Sequence, residues 1–301
     1  MSAEIIREMM GRYEIQDRDD ALKALREVVQ ELLLFSLHRA NFFDTAVFYG
    51  GTALRILHGL DRFSEDLDFA LRREIRDFSF RTFEQALIEN LKEFSLEASF
   101  ETREPEVSPG GIAESHVRTG PVRTVLSAEI SGEHDVLKRV AALFPSNQIV
   151  KIKLEADTRN ARSFEEESSF PLSPIPFPLR TMTLPSMFAG KMHALLCRQW
   201  GARIKGRDWY DCLWFVKKNI SLDMLFLEDK LRDSGHWQEK RTFGEDDFKS
   251  LYAARAASVD IEAALDDVRP FLRDSRALSF WSNELFASLV ERFRFVTRST
   301  R

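Results

Sequence analysis

Asp66 and Asp68 stand one residue apart in the run Asp66-Leu67-Asp68-Phe69 and are the strongest candidates in this chain for metal chemistry. Side chains so spaced on a strand project from the same face. Two such carboxylates can share Mg²⁺, a hard cation that prefers oxygen ligands. Upstream lies Gly50-Gly51-Thr52, a tight-turn sequence leading into a short amphipathic segment. Its glycines permit close backbone approach to phosphate, and the free N–H groups of a helix start attract anions. Each half alone has a plain structural explanation: polar positions on a surface strand, and a turn with Thr52 as helix N-cap. In sequence, strand, turn, helix and carboxylate strand make a coherent site for a nucleoside triphosphate. No GxxxxGK[ST] is present, which excludes a P-loop.

Two further groups carry charge where chemistry needs it. Glu155 and Asp157 share one face of a later strand with Lys151 and Lys153. They read either as a solvated edge or as the source of a third carboxylate, a metal ligand or a general base. Lys191, Arg198, Arg207, Asp208 and Asp211 form the second group. Lys191 with Asp208 reads as a helix-packing salt bridge or as a triphosphate contact and the residue that orients it. Arg198, Arg203, Lys205 and Arg207 concentrate positive charge around one loop, either a solvated loop or a contact for RNA phosphates. The six histidines and two cysteines show no metal spacing, and no serine lies in a GxSxG elbow.

The elements that must position these groups follow from periodicity. Residues 1–45 read as helical, with Leu22, Leu25, Val28, Val29, Leu32 and Leu33 at three- and four-residue steps. Ala46 to Tyr49 reads as a strand, Ala53 to Leu60 as a helix, Leu67 to Leu71 as a strand and Phe80 to Phe94 as a helix. Ser108-Pro109-Gly110-Gly111 signals a turn, and Gln148 to Asp157 alternates as a half-buried strand. Four prolines in residues 171–180 mark an extended connector, and a domain boundary is placed there. Beyond it helices are expected over Met187 to Trp200, Arg207 to Lys218, Leu222 to Arg232, Asp246 to Ala257, Ile261 to Phe271 and Phe280 to Phe295.

Composition sets the class. The 301 residues are 44% hydrophobic, ample for one large domain or two. A net charge of -5 argues against a protein that coats nucleic acid nonspecifically, without excluding a local basic groove. No apolar run approaches membrane-spanning length, the N-terminus lacks a signal-peptide core, and the cysteine usage fits a reducing compartment. A soluble, cytoplasmic protein with no membrane partner is expected.

Taken together, GGTALRILHGLDRFSEDLDF and KMHALLCRQWGARIKGRDWYDCLWF resemble the two motifs of the AbiEii/AbiGii toxin branch of the DNA polymerase β-type nucleotidyltransferase superfamily. The strand KIKLEAD takes the place of that family's middle strand, and the resemblance spans roughly residues 40 to 220. It implies an α+β fold: a nucleotidyltransferase-type mixed β-sheet with flanking helices over residues 1–175, then a helical C-terminal domain over 176–301 that contributes to the active-site cleft. It implies Mg²⁺-dependent transfer of a nucleotide from an NTP to an RNA acceptor, with tRNA expected, by the toxin of a toxin–antitoxin or phage-abortive system with a cognate antitoxin. Gly50, Gly51 and Thr52 would bind the nucleotide, Asp66 and Asp68 the metal, and Lys191 and Asp208 would match the later motif. Glu155 competes with Asp157 for the third carboxylate. The same fold would also serve transfer to a protein or an antibiotic, or a non-catalytic nucleotide-binding protein, because fold does not fix substrate.

Overall fold

The leucine–valine repeat near the N-terminus folds as α2 (Arg18–Arg39), preceded by α1 (Ser2–Met10) and followed by a 3-10 turn at Phe42–Asp44. The helical region expected for residues 1–45 is therefore broken between residues 11 and 17. Asp17 makes the break, because its carboxylate accepts the Asp20 N–H at 2.9 Å and caps α2. From Val28 to Leu37 the helix is buried on every side, so its apolar run is core. The computed structural model describes residues 2–75, 77–102, 112–119, 136–145, 147–158, 163–198 and 204–297. The expected turn at Ser108-Pro109-Gly110-Gly111 and the loop residue Arg203 lie outside them. Among the described residues no helix is long and apolar enough to cross a membrane.

The chain divides into two compact units. One comprises Met1–His58, Ser64–Asn160 and Ser168–Thr181, and the other Gly59–Phe63, Ala161–Glu167 and Met182–Arg301. The first is built on a seven-stranded mixed sheet of order β3-β4-β5-β2-β1-β7-β6. In chain order its strands are β1 (Ala46–Tyr49), β2 (Leu67–Leu71), β3 (Ala98–Thr102), β4 (Ile112–Thr119), β5 (Val150–Asp157), β6 (Glu166–Ser169) and β7 (Leu179–Met182). β1 pairs antiparallel with β2, and β2 pairs parallel with β5. The proline-rich stretch is non-helical, as its prolines demand. It ends by adding β7 to the sheet, where the Thr181 hydroxyl donates to the Phe48 carbonyl at 2.8 Å.

Among the described residues, helices α3 (Gly50–His58), α4 (Arg81–Lys92) and α5 (Val136–Ala142) complete this unit's regular structure. Phe42 and Phe69 meet edge to face at 4.8 Å, and Phe48 and Phe80 lie against Phe69 at 5.6 and 6.4 Å. Such pairs favour one packing over its alternatives.

The second unit is mainly helical: α6 (Leu184–Cys197), α7 (Gly206–Lys217), α8 (Met224–Asp233), α9 (Glu245–Ser258), α10 (Ile261–Val268) and α11 (Asn283–Ser288). It also holds a short parallel pair, β8 (Ser221–Asp223) with β9 (Arg294–Val296). The helix expected over Phe280 to Phe295 is thereby corrected to two 3-10 turns, α11 and β9. Ser282 caps α11 by accepting the Leu285 N–H at 3.1 Å, which interrupts any continuous helix.

Two helical glycines differ in what surrounds them. A Cβ on Gly206 would lie 2.6 Å from the Ala264 carbonyl carbon, where α7 crosses α10, whereas a Cβ on Gly190 would meet nothing within 4 Å. Gly206→Ala should destabilise the protein by about 1–3 kcal/mol through overpacking against backbone. Gly190→Ala should be neutral or stabilising by up to about 1 kcal/mol. Urea unfolding followed by circular dichroism checks the contrast, and equal midpoints would refute the close crossing.

Candidate active site

β1 runs into α3 with no residue between them. The helix starts at Gly50, earlier than the expected Ala53, so the Gly-Gly-Thr sequence is its first turn. Gly50 makes this possible at φ +86°, a conformation that favours glycine. A Cβ there would press on the Asp68 side chain, 2.8 Å from its Cγ. The start of α3, with N–H groups that have no partner inside the helix, thus lies directly against one candidate metal ligand.

Asp68 lies within β2, but Asp66 precedes the strand. The same-face argument drawn from a shared strand therefore does not place the pair. Asp66 is held differently: its backbone carbonyl accepts a hydrogen bond from the fully buried Thr52 hydroxyl. The segment leading to it is also tied down. Gln30 Nε2 donates to the Ser64 and Glu65 carbonyls at 3.1 and 2.9 Å, and Arg26 pairs with the Glu65 carboxylate at 2.8 Å. Both aspartates are half-buried.

Register separates the two later carboxylates. Tyr49 pairs with Asp68 and Asp68 with Glu155, whereas Asp157 pairs with Ala70. Laterally paired residues share a sheet face, so Glu155 is the carboxylate beside Asp68. Phe48 and Phe69 pair on the opposite, buried face. Lys153 bonds both Glu155 and Glu114, the latter at 2.9 Å. Burial would lower the Lys153 ammonium, yet these two carboxylates outweigh it and hold it above its ordinary value.

In the second unit the sequence-selected charges surround Asp211, which is wholly buried. Arg62 grips it with two bonds of 2.6 Å, and Lys191 Nζ lies 2.8 Å from Oδ2. Lys191 is 3.9 Å from Asp208, whose nearer partner is Arg198 at 2.7 Å. Arg62 is the residue that sequence reasoning missed. Its one signal was its place inside the first motif, 149 positions from its partner. Burial would push the Asp211 carboxyl up, but Arg62 and Lys191 together hold it below the usual carboxylate range. Lys205 is lowered by burial first and then by Arg198. Among the described residues, four cations, Arg62, Lys191, Arg198 and Lys205, thus face two carboxylates, Asp208 and Asp211. The surplus is positive and suits an anionic ligand. Arg207 is engaged elsewhere, 3.6 Å from Asp267 and stacked on Phe271 at 4.2 Å.

One grouping went unread in the sequence. His193 and Cys197 are four residues apart on α6, and with His236 they place three metal-ligating atoms within 4.8 Å of one another.

The sequence model of a family described as nucleotidyl transferase AbiEii toxin, type IV toxin–antitoxin system, matches residues 32–292. The likeness thus reaches well beyond the span of 40 to 220 visible from the motifs, into the C-terminal third. The chain is similar to the crystal structure of JHP933 from Helicobacter pylori at TM-score 0.48 and 18% identity, covering 89% of this chain and 88% of that one. A candidate nucleotidyltransferase of the same organism gives TM-score 0.45 and 19% identity, covering 87% and 91%. No curated protein matches.

Asp211→Asn should destabilise the protein by about 3–5 kcal/mol, because it leaves the Arg62 charge buried without its counter-charge. The folded-state value of this carboxyl is depressed, so its contribution is complete above about pH 4, the unfolded range, and is lost as pH falls through the folded value. Acid unfolding of the wild type and the variant should therefore converge at low pH. A constant gap between the two curves down to the acid limit would contradict the ion cluster.

Proposed function

The chain belongs to the AbiEii nucleotidyl transferase toxin family, and from that premise we propose that it transfers a nucleotide from a nucleoside triphosphate to RNA, with tRNA the expected acceptor and Mg²⁺ as cofactor. The observation that carries this reading is the contact between Gly50, at the start of α3, and the Asp68 side chain. It joins an anion-attracting helix start to a carboxylate in one small site. The donor set also fits the metal, since Asp66 and Asp68 offer only hard carboxylate oxygens. Mg²⁺ held there would offset the charge that develops on the triphosphate during attack at the α-phosphorus.

The roles of the chain's own residues follow. Gly50 and Gly51 give the triphosphate close access to the backbone. Thr52 spends its hydroxyl on the Asp66 carbonyl, so its part is to hold Asp66 in place and to offer its N–H. Glu155, alongside Asp68, is the third carboxylate and takes the proton of the attacking hydroxyl; Asp157 is one strand position pair away. Lys191 adds positive charge to the phosphate side, oriented chiefly by Asp211, with Asp208 securing Arg198.

We assign nucleotide chemistry to residues 1–175 and a supporting role to residues 176–301. The family's toxin–antitoxin character supports a cognate antitoxin and a cytoplasmic setting. For the RNA acceptor the support is the surplus positive charge near Lys191. Arg198 and Arg207 pair with carboxylates, so among the described residues of this loop Lys205 is the one to test, together with Arg203, which lies outside them.

Incubation with each labelled NTP and total RNA should label RNA. Asp66→Ala or Asp68→Ala should lower the rate by about 10²-fold or more without unfolding the protein; full activity in either variant refutes the metal assignment. Labelling of protein or a small molecule in place of RNA would overturn the acceptor.

Arg203→Ala with Lys205→Ala should weaken RNA binding and flatten its salt dependence, with NTP binding unchanged. An unaltered salt slope together with unaltered transfer would remove this loop from the acceptor surface.

A further inference from the structure

We propose that His193, Cys197 and His236 form a zinc-binding site, with three protein ligands and a fourth position open to solvent, separate from the Asp66–Asp68 pair. Their ligand atoms lie within 4.8 Å of one another, and all three residues belong to the helical unit. Two imidazoles and a thiol are borderline-soft donors that suit Zn²⁺ and not Mg²⁺. The Asp66–Asp68 oxygens have the opposite preference.

The site is built by regular structure. His193 and Cys197 are four apart on α6, which sets them on one face a turn apart. His236 is delivered by the end of α8. There Gly235 adopts φ +75°, its N–H donates to the Arg232 carbonyl at 3.0 Å, and the His236 N–H donates to the Leu231 carbonyl at 2.8 Å. This is the Schellman arrangement, which fixes the chain direction just beyond a helix. The packing of α6 against α8 then brings the third ligand to the other two.

The three side chains converge on one hydroxyl. Ser234 Oγ lies 2.9 Å from His193 Nε2 and 2.9 Å from His236 Nδ1, and it also bonds the Cys197 thiol. Ser234 also donates its hydroxyl to the Lys230 carbonyl at 2.8 Å, which anchors it where the three side chains meet. In tetrahedral zinc the ligand atoms sit roughly 3.4–3.6 Å apart, so from separations of up to 4.8 Å the three side chains need to close by no more than about 1.4 Å. Burial keeps Cys197 as the thiol, pushed up to about 11. Binding therefore releases its proton to solvent as the thiolate–metal bond forms. Occupied, the site would clamp α6, the helix that carries Lys191, to the turn after α8.

The test uses the full chain, stripped of metal by a chelator. Titration with Zn²⁺ against a chromophoric competitor should show one equivalent bound, undisturbed by excess Mg²⁺. Co²⁺ should produce thiolate-to-metal charge-transfer absorption. Cys197→Ser should abolish that band, while Cys212→Ser, at the other thiol, should leave it in place. His193→Ala and His236→Ala should each weaken zinc binding about tenfold or more, and Asp68→Ala should not alter it. The wild-type cobalt spectrum needs no variant to fold, so an absent thiolate band overturns the proposal by itself. A zinc equivalent that survives Cys197→Ser unchanged, or that disappears with Asp68→Ala, overturns it as well.

Discussion

A single steric constraint governs the candidate active site: the backbone of Gly50 must lie against the side chain of Asp68. With φ +86° and no room for a Cβ, this position accepts glycine alone without strain. The constraint lets β1 become α3 with no connecting loop, so the helix start and the carboxylate strand share one register. Neighbouring side chains of the first unit steady that junction. Thr52 ties the first turn of α3 to the Asp66 carbonyl, and Gln30 and Arg26 on α2 hold the residues just before it. The phenylalanine core fixes the sheet from its other face.

The helical unit solves a different problem, a carboxylate wholly out of water. Asp211 is tolerable there because a bidentate arginine and a lysine ammonium both reach it. The arrangement also limits Lys191. An ammonium already shared with a buried carboxylate has a set direction, and the phosphate contact proposed for it would use its remaining donors. The family's assignment as nucleotidyl transferase toxins gives this cluster a chemical context. Its positive surplus is a property of the chain itself.

Much of the fold was legible because it depends on near neighbours. The strand at Ala46–Tyr49 followed from a short apolar run ending at the Gly pair, that at Leu67–Leu71 from the apolar residues around the carboxylates, and most helices beyond Pro185 from their 3.6-residue period. The site candidates Asp66, Asp68 and the Gly-Gly-Thr turn were visible because their chemistry is compressed into one short segment. The family was recognisable for the same reason, though its extent to residue 292 was not, since the last third carries no comparably dense motif.

What the sequence determined, then, was the set of local elements and the residues with chemical potential. Tertiary structure decided their partners. It moved Asp66 off the strand and into the grasp of Thr52, and it set Glu155 rather than Asp157 beside Asp68 through the β2–β5 register. It joined β8 to β9 and Arg62 to Asp211, pairs whose members lie far apart in the chain. It gathered His193, Cys197 and His236 around one serine. The physical reason is common to all of these. Periodicity reports which face of an element is buried, but pairing across elements is chosen by the free energy of the whole packed core, which no local window contains.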